Sequence, residues 1–217
     1  MHAPFVPQYV LMSCSLLITT AGYSRRMGQA KAWLLLDGRA LVQQILDKSA
    51  EAGVMHATIV VGSKESKDTS LVSEQSLWER LSIPCEMKLK TVVANPDGHL
   101  IDSIRSSLRV IPSEHSILLW PVDSPFASPE LVKEILAQGE KHANHVVIPS
   151  HRQKRGHPVF FDQLSRRYLK DRRADHGVHL ILRDSSTPII EVPTQDRRIA
   201  APLNTPEEAK RLGIILP

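Results

Sequence analysis

The sequence predicts an α/β fold: one domain of three layers, α/β/α, with a mostly parallel sheet covered by helices on both faces. Three observations point to it. Short, nearly continuous apolar runs at 15–21, 56–61 and 116–121 read as strands buried on both faces, the pattern that parallel sheets require. Segments of helical period alternate with these runs along the chain. Two of the later helices open on a capping residue followed by proline, at Ser128-Pro129 and Thr205-Pro206. A chain of 217 residues is long enough to bury the core of one such domain.

Residues 1–14 read as an N-terminal extension and 15–217 as the domain. Residues 15–21 form the first strand and lead into a loop carrying Gly22 and Gly28. Arg39–Ala52 places Leu41, Val42, Ile45, Leu46 and Ala50 near helical spacing and stops at Gly53. His56–Val61 is the second strand. Ser63–Leu81 is polar, a loop with a short helix around Leu71–Leu81, and Met87–Val93 is the third strand. Asp102–Val110 supports a short helix, and Ser116–Pro121 is a strand that ends at Asp123. The helix opened by Ser128-Pro129-Glu130 runs to about Gly139, and His145–Pro149 is the next strand. After a basic loop come a short strand at Pro158–Phe161, helical pieces at Gln163–Leu169 and Val178–Leu182, and a strand at Ile189–Val192. Thr205-Pro206-Glu207-Glu208 begins the last helix. Ligands of such sheets sit beyond the carboxyl ends of the strands, so the glycine loop and Asp123 are expected to face one crevice.

Composition narrows the function classes. Hydrophobic content of 42% with 23% charged residues is that of an ordinary soluble globular protein, and no apolar window reaches the ~18 residues of a transmembrane helix. The 27 basic against 23 acidic residues are a mild excess spread along the chain, without the aromatic interleaving that stacks single-stranded bases. A phosphorylated small molecule explains that charge without a nucleic acid or membrane partner. Cys14 and Cys85 are far apart with no C-x-x-C spacing, which argues against a disulfide scaffold or zinc site and fits a reducing, cytoplasmic setting.

The chemistry concentrates in LLITTAGYSRRMGQAKAWLLL, residues 16–36. A strand delivers the chain into a turn where Gly22 and Gly28 allow close approach, so that main-chain N–H groups can face an anion, and Arg26 and Lys31 add positive charge. Neither the dinucleotide fingerprint G-x-G-x-x-G nor the P-loop G-x-x-x-x-G-K-[ST] is present. At the end of another buried strand, Asp123 enters a turn bounded by Pro121 and Pro125. That position suits either a turn aspartate or a magnesium ligand beside phosphate oxygens.

The loop resembles the signature of the MobA-like nucleotidyltransferases, A-G-x-S-x-R-M-G-x-x-K, met here as Ala21, Gly22, Ser24, Arg26, Met27, Gly28 and Lys31. Further resemblance lies in Val122-Asp123-Ser124-Pro125 to G-D-x-P, in Gly156-His157-Pro158-Val159 to G-H-P-V, and in Asn204-Thr205-Pro206-Glu207 to the terminal [DN]-T-P-E. Gly98, Ser103 and Ser107 weakly resemble a helical segment of the family, and the whole likeness spans about residues 16–212. The chain departs from the pattern at Pro202, where many relatives carry an acidic residue, and at Thr19 and Thr20, which replace Leu-Ala.

The resemblance implies a Rossmann-like nucleotidyltransferase fold and a Mg²⁺-dependent transfer of a nucleotidyl group from an NTP, with pyrophosphate released. The form A-G-x-S favours CTP, hence the cytidylyl-transferring branch. The favoured acceptor is molybdopterin or its molybdenum form, with a client molybdoenzyme as a further partner and a monomer or weak oligomer as the assembly. In site terms it implies Arg26, Lys31 and Asp123 as catalytic, and Thr20, Ala21, Gly22, Ser24, Arg26, Gly28 and Lys31 as nucleotide-binding. Gly156, His157 and Pro158 would border the acceptor, and Asp123 and Asn204 would hold the metal. A sugar- or polyol-phosphate acceptor, or a non-catalytic nucleotide- or cofactor-binding module of the same fold, are the rival readings.

Overall fold

The computed structural model describes residues 13–217. Most of the expected N-terminal extension therefore lies outside the described residues, and Cys14 already belongs to the first strand. The elements are β1 (Cys14–Thr19), β2 (Leu35–Leu36), β3 (Arg39–Ala40), α1 (Leu41–Glu51), β4 (His56–Val61), α2 (Glu74–Arg80), β5 (Lys88–Val93), α3 (Leu100–Ser107) and β6 (Ser116–Pro121). They continue with α4 (Pro129–Lys141), β7 (Val146–His151), β8 (Lys154–Arg155), β9 (Val159–Phe161), α5 (Arg167–Lys170), α6 (Val178–Arg183), β10 (Ile189–Pro193), α7 (Pro206–Arg211) and β11 (Ile214–Ile215).

The main sheet has the order β10-β7-β9-β6-β1-β4-β5, with β8 added on β7. Its pairs β1/β4, β1/β6, β4/β5 and β7/β10 are parallel, whereas β9 runs antiparallel to both β6 and β7. The period of two along each strand divides the core. Leu16 and Ile18 pack on the side of α1 and α4, with Leu41, Ile45, Val132 and Ile135. Leu17 faces the side of α3, α5 and α6, with Ile104, Leu169 and Ile181. Three layers follow, and each fully buried aliphatic or aromatic side chain contributes ~1.5–3 kcal/mol.

The chain passes from β1 through β4 to β5 on one side, then returns to add β6 on the other side of β1. This reversal opens a crevice outside the carboxyl ends of β1 and β6, where open α/β sheets place their ligands.

Several boundaries differ from the sequence expectation. β1 stops at Thr19, and the Thr20 N–H and hydroxyl both donate to Val60 O (3.1 and 2.6 Å) as the chain turns away. α3 starts at Leu100, and its Ser103 and Ser107 are buried rather than on an exposed face; the Ser107 hydroxyl donates back to Ser103 O. Of Gln163–Leu169 only the end is helical, because Asp162 accepts from Ser165 N and Asn144 N (both 2.6 Å) and holds a turn. The expectation contained no second sheet, yet β2, β3 and β11 form one. Its β2–β3 hairpin turns through Asp37 and Gly38, both at positive φ (52° and 77°), the Asp-Gly geometry favoured by two-residue hairpins.

Candidate active site

The crevice at the switch point is a cleft of about 410 Å³, within the range of small-molecule sites. One wall is the glycine loop, a tight fold closed by its own main chain and the Ser24 hydroxyl. Ser24 O accepts from Met27 N (2.8 Å) and Gly28 N (3.0 Å), and the Ser24 hydroxyl accepts from Lys31 N (3.3 Å). Met27 is buried in the core, which anchors the loop while Arg26 and Gly28 on either side of it face outward. Gly28 sits at φ 77°, in the left-handed region that a residue with a Cβ adopts at a cost.

Some loop amides serve the fold and others do not. Ser24 N and Ala30 N donate to Ser70 O and Thr69 O, so the segment 63–73 clamps the loop from outside. Among the described residues, the N–H groups of Gly22, Tyr23, Arg25 and Arg26 have no acceptor within the protein. These are the donors available to an anion.

Lys31, in a short 3₁₀ turn (Lys31–Trp33), extends its side chain to the other wall. Its Nζ donates to Asp123 Oδ2 at 3.0 Å and to Asn204 Oδ1 at 3.1 Å. Asp123 arrives from the turn after β6, where the buried Trp120 Nε1 donates to Ser124 O (2.8 Å) and fixes that turn. Asn204 is held by a capping box at the start of α7: Glu208 Oε2 accepts from Asn204 N (2.6 Å) and Thr205 N, while Thr205 Oγ1 accepts from Glu208 N. The Lys31 side chain is 16% exposed and that of Asp123 39%, so the pair lies half-shielded at the cleft floor.

His157 stands at a junction, lining the main cleft, a chamber of about 380 Å³ toward α3 and α6, and a hollow shared with Asp123, Gly156 and Asn204. Its Nδ1 is buried without a hydrogen-bond partner. Burial pushes the imidazole below its ordinary value, and the nearby Asp123 carboxylate opposes that shift.

The tertiary structure thus gathers Thr20, Ala21, Gly22, Ser24, Lys31, Asp123 and His157 around one cleft and brings Asn204 to its edge. It does not bring all the expected residues there. Arg26 and Gly28 are exposed outside the cleft lining, and Pro158 is buried behind it. Gly156 borders only the hollow, where a Cβ would lie 2.3 Å from Ile199 O, so close backbone approach accounts for this glycine. The Thr20 side chain is committed to Val60, leaving its backbone for the cleft. Residues that sequence reasoning did not single out also line the wall: Tyr23, Asn95, Pro96 and Leu100. Tyr23 lies inside the loop motif, and Arg25 stacks 4.6 Å over its ring while pairing with Asp97.

Among the described residues, no group of three or more His, Cys, Asp or Glu side chains could by itself hold a metal. The oxygens of Asp123 and Asn204 nevertheless converge on one cation, the Lys31 ammonium. That donor pair fits a hard divalent ion whose remaining positions are filled by phosphate and water oxygens. Among the described residues no helix is long and apolar enough to cross a membrane.

No curated protein matches the chain in sequence. Solved structures do match in fold. Rv0371c from Mycobacterium tuberculosis H37Rv is 17% identical with a TM-score of 0.74, covering 92% of this chain and 97% of that one. The same protein has also been solved in complex with manganese, at a TM-score of 0.67. A nucleotidyl transferase from Methanothermobacter thermautotroptrophicus is 19% identical with a TM-score of 0.70, covering 92% and 95%. A molybdopterin-guanine dinucleotide biosynthesis protein A from Archaeoglobus fulgidus is 20% identical with a TM-score of 0.59, covering 91% and 95%. At such identities these structures share a fold with the chain. The family is shown by the sequence itself: residues 16–189 match the MobA-like NTP transferase domain. Because that stretch begins in β1 and takes in every residue lining the main cleft, the chain belongs to the MobA-like NTP transferases, a family of nucleotidyltransferase enzymes.

Proposed function

We propose that this enzyme moves CMP from CTP to a phosphate-bearing acceptor, with molybdopterin or its molybdenum form favoured, and releases pyrophosphate. The observation that carries this reading is the meeting of Lys31, Asp123 and Asn204 beside a loop with N–H groups that, among the described residues, have no acceptor within the protein. The loop amides and Lys31 hold the triphosphate and shield its charge, so the acceptor oxygen can approach the α-phosphorus in line. A divalent ion, Mg²⁺ by expectation, held by Asp123 and Asn204, supplies Lewis-acid stabilisation of charge on the phosphate oxygens. His157, lining both the cleft and the adjoining chamber, borders the acceptor and excludes water.

The chamber beside His157 favours a flat heterocyclic acceptor over a hydroxyl-rich sugar or polyol. Leu100, Leu119, Val178 and Leu182 line it together with the imidazoles of His99, His157, His176 and His179, surfaces on which a flat heterocycle can stack, and no carboxylate or carboxamide side chain is among its lining residues. The client protein, the assembly state and a cytoplasmic location belong to the same proposal. The test is pyrophosphate release from each of the four NTPs with Mg²⁺, with and without molybdopterin. Release with CTP and the pterin together supports the reading; release with GTP or only with a sugar phosphate overturns its finer part.

A further inference from the structure

Resting on that reading, we propose that Lys31 is a cation placeholder that couples metal binding to nucleotide binding. Its ammonium lies at the point where Asp123 Oδ2 and Asn204 Oδ1 converge, 3.0 and 3.1 Å away. These oxygens come from segments 92 and 173 residues distant in sequence, so their convergence is a product of the fold rather than of local chain geometry. They are also the oxygens that a divalent ion would take. The ammonium and an ion on those same oxygens would compete, because two cations so close in a half-shielded cleft repel. Each therefore enters more readily when the other has left.

Lys31 is built to leave. Its main chain is pinned, with its N–H on the Ser24 hydroxyl (3.3 Å) and its carbonyl accepting from Leu34 N (3.1 Å), whereas its side chain is a flexible four-carbon stem. A triphosphate seated on the free N–H groups of Gly22, Tyr23, Arg25 and Arg26 offers the ammonium a second anionic partner. As Lys31 turns to it, both oxygens are released to the metal, and phosphate oxygens complete the coordination. Nucleotide and metal therefore favour each other, and by linkage the effect is reciprocal. When pyrophosphate departs, the return of Lys31 to Asp123 expels the ion and resets the site.

The test measures Mn²⁺ binding to the purified full chain, by the electron paramagnetic resonance signal of free Mn²⁺, first without nucleotide. Lys31→Met binds Mn²⁺ about tenfold tighter than the wild type, within the usual span of coupled sites. Lys31→Gln, a second neutral variant, behaves likewise; Lys31→Arg keeps the weak wild-type affinity; and adding Asp123→Asn to Lys31→Met abolishes the gain. With CTP, the wild type gains Mn²⁺ affinity beyond a protein-free CTP control, and Lys31→Met gains less. Equal Mn²⁺ affinity of wild type and both neutral variants, with CTP-dependent Mn²⁺ binding intact, overturns the placeholder alone. Mn²⁺ binding by no variant even with CTP overturns both the placeholder and the metal assignment beneath it.

Discussion

Asp123 carries the sharpest consequence at the scale of single residues. Its carboxylate is 39% exposed and, among the described residues, hydrogen-bonds to Lys31 alone, so its part in stability is that of a surface ion pair, ~0–1 kcal/mol. On the proposed reading its part in the reaction is larger, since it would hold the divalent ion that offsets charge on the phosphates. Asp123→Asn is expected to leave the melting temperature nearly unchanged while lowering pyrophosphate release at least ~100-fold. A matching fall in both would make the residue structural. At this scale the sequence was informative where chemistry is local. Lys31 and Asp123 were legible because a cation after a glycine turn and a carboxylate after a buried strand are both out of place in a core. The place of the Arg26 side chain was less legible: its neighbour Met27 is drawn into the core, and Arg26 lies exposed outside the cleft lining.

Elements place these residues, and two of them can be tested. The capping box of α7 holds Asn204 through Glu208, so its loss acts on the site as well as on the helix. Thr205→Ala removes one cap bond and is expected to cost about 1 kcal/mol, seen as a ~2–4 °C drop in melting temperature. Glu208→Ala, which also frees the Asn204 main chain, should lower turnover more than Thr205→Ala does at a similar melting temperature. In α4, Gly139 lies in the helix interior, where alanine would ordinarily stabilise by ~1 kcal/mol. A Cβ there would stand 2.1 Å from the ring of Phe160, which is 1% exposed and cannot move aside. Gly139→Ala is therefore expected to destabilise, by ~1–3 kcal/mol in urea unfolding. An increase in stability would show that β9 can shift under the helix. Sequence reasoning found most helices and parallel strands because their signals are local. It missed the small sheet, although Asp37-Gly38 announces a hairpin, because strands of two residues carry no periodicity.

Across the molecule, the end opposite the cleft has its own titratable group of residues. His115 Nδ1 pairs with the Ser15 hydroxyl at 2.8 Å, and the His56 ring meets His115 edge-on at 4.7 Å. Burial is the first cause that lowers both imidazoles from 6.5; His56 is further opposed by His115, Lys88 and Lys90, and His115 by Arg166 and Lys90, although Glu114 acts the other way on His115. A group whose folded value is lowered resists protonation in the native state, so its stabilisation is whole above 6.5 and is lost as pH falls below it. Urea midpoints are expected to fall between pH 7.5 and pH 5.5, and His115→Gln should flatten that dependence; an unchanged slope would remove the pair as its source. His157, lowered for the same reason, adds to the trend from the cleft side. Read alone, the amino-acid sequence was enough to establish the layered α/β class, the order of its principal elements and the glycine loop that follows the first strand. Each of these rests on hydrophobic period, caps and turn residues within a few positions of one another. Which side chains share a cleft was decided only by the folded chain. The parallel pairing of β1 with β6 and the docking of α7 bring Lys31, Asp123 and Asn204 within hydrogen-bond reach, and such long-range convergence leaves no local mark in the sequence.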